Sequence, residues 1–320
     1  MSYSIIIPLY NEEENVKILN NQLLSAIDKI NQIKKNDFEI IYVDDGSQDS
    51  TFDNLKKLSN NKVSTIIIRH KKNLSQSAAI LTGINFSEKD NFIFLDGDLQ
   101  NDPDDLINFI KEFEKGFDMV VGWRKNRKDN FLTRTLPSIL ANSLVRLFTK
   151  SNLHDHGCAI KILKKDLIFD DITWGDFHRL FAARVMDGGY KVSEIIVNHR
   201  EREFGNSKYG LGRIFKVLID LVFLKLFKSK KSSSLYFFGL FGLVSFGLAL
   251  LSFIIMCYLR FFSGISFIST PLPMVSVFFA LSGVIFFFIS LLTQLVLEQN
   301  KTADKSLKSN NTEIIKFNIK

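Results

Sequence analysis

The chain has 320 residues, with 41 Lys and Arg against 34 Asp and Glu, a formal net charge of +7 and two cysteines. That length holds one large domain or two smaller ones, and Cys158 and Cys257 are too far apart to suggest a disulfide framework or a metal-ligand spacing. The mean hydropathy of +0.08 averages two unlike parts. Residues 1–210 read as a soluble α/β protein of mixed charge, whereas residues 235–259 and 272–297 contain no charged residue.

In chain order, Tyr3 to Pro8 is an apolar run that predicts a strand, and Glu12–Ile33 has helical spacing with Val16, Leu19, Leu23, Ala26 and Ile30 on one side. Phe38–Val43 predicts a second strand, Ser50–Leu58 a helix, Val63–Ile68 a third strand and Ser75–Phe86 a helix. Phe92–Leu95 follows as the fourth strand, Asp104–Phe113 as a helix and Phe117–Val121 as the fifth strand. This alternation predicts a mostly parallel sheet covered by helices on both faces. Phe131–Lys150 then offers an apolar stripe at helical spacing.

Polar residues collect where the strands end. After the first come Asn11, Glu12, Glu13 and Glu14, a pattern that reads as an N-cap at Asn11 with a capping box to Glu14. After the second comes Asp44-Asp45-Gly46-Ser47, for which a turn and a cap suffice. After the fourth comes Asp96-Gly97-Asp98-Leu99-Gln100. Two carboxylates and an amide at the rim of a sheet suit a hard divalent cation that shares its shell with substrate phosphates. The chain has no Walker A or G-x-G-x-x-G loop to cradle phosphates, so a metal is the expected substitute. His154 and His156 flank Asp155, but two histidines without a third ligand do not make a transition-metal site.

The two uncharged runs are each roughly 25 residues, or about 38 Å as helix, enough to cross a bilayer with some tilt. Lys225, Lys228, Lys230 and Lys231 precede the first; Lys301, Lys305 and Lys308 follow the second; the loop from Arg260 to Pro271 holds a single basic residue. The positive-inside rule then predicts a multi-pass inner- or plasma-membrane protein with its head and both termini in the cytoplasm. Basic residues beside the spans fit an anionic leaflet and argue against nucleic acid as a partner. The first apolar run, Ile5-Ile6-Ile7, is too short for a signal peptide. Leu211–Lys228 has the pattern of a helix lying in the bilayer interface. The expected divisions are a head over 1–210, an interfacial helix over 211–231, a two-helix hairpin over 232–299 and a loosely ordered polar tail over 300–320.

Together, the motifs Ile7-Pro8-Leu9-Tyr10-Asn11-Glu12, Val43-Asp44-Asp45-Gly46-Ser47, Asp96-Gly97-Asp98-Leu99-Gln100, Asp155-His156-Gly157-Cys158 and His199–Tyr209, followed by two spans, resemble glycosyltransferase family 2. More narrowly, they resemble its membrane-anchored polyprenyl-phosphate branch. The resemblance implies a GT-A, Rossmann-like α/β head, inverting transfer of a monosaccharide from a nucleotide sugar (UDP-linked in preference to GDP-linked) to undecaprenyl phosphate, and Mg²⁺ or Mn²⁺ held by Asp96, Asp98 and Gln100. It implies that Pro8, Tyr10 and Glu12 border the nucleotide, that Asp44 accepts hydrogen bonds from the base, and that Asp96 and Gly97 also bind substrate. Arg124, Arg134, Ser138, Arg202, Ser207 and Lys208 would hold the lipid phosphate and the donor diphosphate. Relatives also suggest a homo-oligomer associated through the membrane region. A processive polysaccharide synthase shares fold and membrane, but the Gln-x-x-Arg-Trp motif and further spans are missing from this sequence. A catalytically silent sugar-nucleotide-binding scaffold is the remaining alternative, and the intact acidic and basic sets weigh against it.

Overall fold

The computed structural model describes residues 1–58, 63–125, 136–149, 151–168, 177–201, 233–303 and 312–317. The chain divides into two compact units, Met1–Leu221 with Asn311–Lys320, and Val222–Asn310.

In the first unit, apolar runs alternate with amphipathic helices: β1 (Ser2–Leu9), α1 (Asn15–Ile33), β2 (Asp37–Asp44), α2 (Thr51–Lys56), β3 (Ser64–His70), α3 (Gln76–Phe86) and β4 (Asn91–Phe94). A 3-10 turn at Pro103–Asp105 leads into α4 (Leu106–Phe113), followed by β5 (Met119–Trp123), α5 (Leu136–Thr149), β6 (Lys161–Lys164), α6 (Phe177–Asp187) and β7 (Val192–Ile196). The sheet has the order β7-β5-β6-β4-β1-β2-β3-β8, where β8 is Thr312–Phe317. β6 and β8 pair antiparallel with their neighbours, and the other pairings are parallel.

Helices cover both faces because the central strands are apolar on both. Ile5, Ile7 and Leu9 pack with Val16, Leu19 and Leu23 of α1 and with Phe109 of α4. Ile6, one residue out of phase, packs on the opposite side with Ala79 and Ile80 of α3 and Phe181 of α6. α3 comes so close that a Cβ on Gly83 would lie 2.4 Å from Ile6 Cγ2.

Three strands were not anticipated. β6 is four residues long and β7 five, too short for a period of two to stand out. β8 corrects the expectation of a loosely ordered tail. Thr-Glu-Ile-Ile-Lys-Phe is rich in β-branched and aromatic residues, and it pairs with β3, Ile67 opposite Ile315 and His70 opposite Thr312. The pairing covers a sheet edge that would otherwise stand open.

The second unit contains α7 (Ser233–Phe262) and α8 (Leu272–Ala303). Their segments Phe238–Phe262 and Leu272–Thr293 are long and apolar enough to cross a membrane, with mean hydropathies of 2.5 and 2.6. Most of their side chains face outward, Phe261 and Met274 at 79% exposure each, which is unlike the core helices of a soluble protein. The two helices meet at small residues. Gly242 lies against the Gly283 carbonyl, a Cβ on Gly283 would press on the Phe246 ring, and Ser276 Oγ donates to the Ala249 carbonyl at 3.0 Å. The expected interfacial helix, Leu211–Lys228, lies outside the described residues.

Candidate active site

β1 lies between β2 and β4 and is parallel to both, with Leu9 in register with Asp44 and Ile6 with Phe94. The carboxyl ends of all three strands therefore open on one edge. Strands β2 and β3 extend the sheet to one side of β1 and β4 to the other, so β1 borders the switch point at which open α/β sheets bind ligands. A Cβ on Gly97 would lie 2.2 Å from Leu9 Cδ2 and 3.4 Å from the Pro8 carbonyl oxygen. Only glycine lets the acidic turn after β4 press against the end of β1.

Within that turn, Asp96 Oδ1 accepts from Gln76 Nε2 at 2.7 Å and Asp98 Oδ1 accepts from the Gln100 N–H at 3.2 Å. Between the two acids and Gln100 sits Leu99, buried, with φ at 61°, a left-handed conformation uncommon for a bulky residue. Lys161, the first residue of β6, stands opposite Phe94 of β4 and is 2% exposed. Burial pulls its ammonium down to about 8, against the opposing charges of Asp96 and Asp155.

On the same edge, at the ends of β2 and β3, a cavity of about 440 Å³ is lined by Tyr10, Gly46, Ser47, Gln48 and residues 69–73. Gly46 has φ at 71°, and a Cβ on it would lie 2.5 Å from the Lys72 backbone, so this glycine permits both the turn and the close approach of the facing wall. Asp44, the last residue of β2, is fully buried behind the cavity residues Ser47 and Arg69 that it contacts, and its Oδ1 accepts from the Ser47 N–H at 3.0 Å. Its Oδ2 has the Arg69 guanidinium at 3.3 Å but no hydrogen-bond donor. Burial raises the carboxyl above the ordinary range, with Ser47 and Arg69 opposing the shift. A buried acceptor left without a donor is rare and calls for an explanation. Arg69 also donates to the Ser47 carbonyl and stacks over Phe52. His70 Nδ1 sits 2.7 Å from Asp45, whose carboxylate also accepts from the Leu74 and Ser75 N–H groups.

Asn11 and Glu12 correct the expected cap. Asn11 has φ at 51°, its N–H donates to Ser47 Oγ, and its Oδ1 accepts from the Gln48 N–H. It ties the β1 end to the β2 turn, and α1 starts only at Asn15. Glu12 is buried; its Oε2 accepts from Asn15 Nδ2 and its carbonyl accepts the Asn15 and Val16 N–H groups.

Arg124 follows β5 and is gripped by Asp155, Nε to Oδ2 at 2.8 Å and Nη2 to Oδ1 at 3.1 Å. Ser138 and Asn142, one helical turn apart on α5, are both buried, and Asn142 Nδ2 reaches Asp155 at 3.5 Å. His154 stacks on Trp123 at 4.1 Å and bonds Glu194. His156 is buried, and neither ring nitrogen has a hydrogen-bond partner. Arg134, Arg202, Ser207 and Lys208 lie outside the described residues.

Sequence reasoning missed Arg69, Gln76 and Lys161. Arg69 had a signal, being a charge at the carboxyl end of a predicted strand, the same logic that singled out the acids. Lys161 had none, because only tertiary pairing buries it beside Asp96.

Among the described residues there is no group of three His, Cys, Asp or Glu side chains placed to hold a metal. Asp96, Asp98 and Gln100 are hard oxygen donors and fit an Mg²⁺ or Mn²⁺ ion that completes its shell with diphosphate and water.

The family model for glycosyl transferase family 2 matches residues 4–170. The chain is similar to dodecaprenyl-phosphate galacturonate synthase of Rhizobium johnstonii, 36% identical over 89% of this chain and 84% of that protein. It is also similar to undecaprenyl-phosphate 4-deoxy-4-formamido-L-arabinose transferase of Yersinia pestis, 33% identical over 68% of this chain and 66% of that protein. Its fold resembles that of glucosyl-3-phosphoglycerate synthase from Mycobacterium tuberculosis, crystallised with Mn²⁺, UDP-glucose and phosphoglyceric acid, at a TM-score of 0.51 and 14% identity over 69% of this chain and 79% of that one.

Proposed function

The chain belongs to glycosyl transferase family 2, and from that membership we propose that it moves one sugar from a nucleotide sugar, UDP-linked in preference, to a polyprenyl phosphate such as undecaprenyl phosphate. The observation that carries this reading is the single sheet edge that holds both the cavity between Tyr10, Gly46 and Arg69 and the Asp96–Gln100 turn, in a chain with two helices of membrane-crossing length. The names of the two relatives support the lipid acceptor.

Asp44 accepts an N–H of the base, Tyr10 and Pro8 border the nucleotide, and Gly97 leaves room for the turn that meets the diphosphate. Asp96, Asp98 and Gln100 hold Mg²⁺ or Mn²⁺, which when bound supplies positive charge to the departing diphosphate. The acceptor phosphate is already ionised at neutral pH, since phosphomonoesters have a second pKa of about 6, so the chain needs no carboxylate base. A phosphate oxygen forms its bond to the anomeric carbon while the bond from that carbon to the diphosphate breaks. The diphosphate leaves with the electron pair, and attack from the far side inverts the configuration.

Two anions must meet, and cationic side chains make that possible. Arg124, its plane set by Asp155, joins Arg134, Arg202 and Lys208 in that task, with Ser138 and Ser207 as hydroxyl donors. On this reading the protein belongs to the inner or plasma membrane, and the lysines beside the spans favour a head and termini in the cytoplasm.

The test is an assay of full-length protein in nanodiscs with labelled UDP- and GDP-sugars and undecaprenyl phosphate. Lipid-linked monosaccharide is the expected product. Polymer, or binding without turnover, overturns the reading. Undiminished activity in excess EDTA, or in Asp98→Ala, removes the metal from it.

A further inference from the structure

The turn from Asp96 to Gln100 cannot be held by its own residues. Leu99 occupies the left-handed region with its side chain buried, a conformation that persists only where the surroundings enforce it. On one side the turn is anchored by β1, through the Leu95 N–H on the Ile6 carbonyl at 3.2 Å and the close fit of Gly97 on Leu9. On the other side the anchor comes from nearly a hundred residues later. Asn101 and His199 form an isolated antiparallel bridge, and the Arg200 N–H donates to the Gln100 carbonyl at 2.9 Å. The Arg200 guanidinium pairs with Asp102 at 2.5 Å and donates to Gln22 of α1 at 3.2 Å. Asn198 completes the set, its N–H and side-chain amide both donating to Asp105, at 2.8 and 3.2 Å.

We propose that Asn198–Arg200 is a clasp that imposes the conformation of the acidic turn, with Arg200 as a positioning residue for the cation site. The clasp closes on the backbone of Gln100 and on the two residues after it, directly beyond strained Leu99. It therefore determines the direction in which the chain leaves Asp98, and with it the placement of Gln100 relative to both acids. Asp102 has a defined task here: one oxygen takes the Arg200 guanidinium while the other caps the 3-10 turn through the Asp104 N–H at 3.1 Å. The Arg200–Asp102 pair is partly exposed, so it contributes little to global stability. Its effect is local, on a turn that has no slack.

This inference rests on the cation assignment of the preceding subsection, and the experiment separates the two. Mn²⁺ binding to the full-length protein is measured by calorimetry with saturating UDP, alongside amide exchange of residues 98–102. Arg200→Ala and Asp102→Ala should each weaken Mn²⁺ about tenfold, the low end of what outer partners of metal ligands contribute. They should also speed exchange at Leu99–Asn101 while leaving Tm nearly unchanged. The conservative variant Arg200→Lys, which keeps the charge opposite Asp102, should recover part of the affinity lost in Arg200→Ala, which a purely structural loss would not do. An Arg200→Ala affinity within about twofold of wild type, less than 0.5 kcal/mol, overturns the clasp. If wild type binds no Mn²⁺, the cation reading fails by itself and exchange alone decides: unchanged protection in Arg200→Ala sinks the clasp, and lost protection upholds it.

Discussion

Asp155→Ala tests how the basic side of the site is held. The carboxylate is 1% exposed and takes two hydrogen bonds from the Arg124 guanidinium and one from the Gly157 N–H. The Arg124 side chain is itself only 15% exposed, so removing the acid takes a two-point partner from a cation that little water can reach. Breaking a buried pair from one side costs about 3–5 kcal/mol. A domain of roughly 200 residues loses about 2–4 °C of Tm per kcal/mol, so a drop of roughly 6–20 °C is expected. Trp123 precedes Arg124 and stacks on His154, and in a Trp174→Phe background its fluorescence during a thermal ramp in detergent reports unfolding at this place. The double variant Arg124→Ala with Asp155→Ala removes the buried cation as well. It should be less damaged than the sum of the two single changes by about 1 kcal/mol or more. A Tm for Asp155→Ala within about 2 °C of wild type, or strict additivity in the cycle, would refute the reasoning.

Gly97→Ala places a Cβ 2.2 Å from the end of a fully buried Leu9. The overpacking costs about 1–3 kcal/mol and should lower kcat/KM at least about tenfold by displacing the acidic turn; Gly247→Ala, with nothing within 4 Å, should match wild type, and equal activity of the two variants would contradict the close fit. His156 is held down to about 4, by burial first and then by the charge of Lys161. The native ring stays neutral while the unfolded chain takes up a proton below about 6.5, so this stabilisation is intact above 6.5. It is lost as pH falls toward 4, by an amount on the order of 3 kcal/mol, and His156→Phe should flatten Tm across that window in thermal ramps at stepped pH. Asp105 acts with the opposite sign. Burial lifts its carboxyl to about 6, the native state takes up the proton first, and stability is gained as pH falls from about 6 toward 4. Asp105→Asn gives up one of the two acceptors for Asn198, so the readout is the slope and not the absolute Tm: the gain that wild type shows as pH falls from about 6 toward 4 should be missing in it, and an unchanged Tm profile would remove the burial cost from the account.

Period and run length made β1 to β5 and α1 to α4 legible from the residues alone, because a buried strand between amphipathic helices can be apolar on both faces while a rim cannot. The same contrast exposed the acids after β1, β2 and β4 and the two uncharged runs near the C-terminus. Other features had no local signature. β6 is too short to show a period, and β8 becomes a strand because β3 offers it an edge. Asn11 reads as a helix cap until the β2 turn is placed beside it. Lys161 is an ordinary lysine until β4 and β5 close over it, and nothing in Asn198-His199-Arg200 says that it grips residues 100–105. A sequence records what each segment prefers within its own turn or pleat. Partners separated by 30 to 100 residues are chosen by the pairing of strands, and pairing alone put the strained Leu99, the buried Asp44 and the Arg124–Asp155 bridge where they stand.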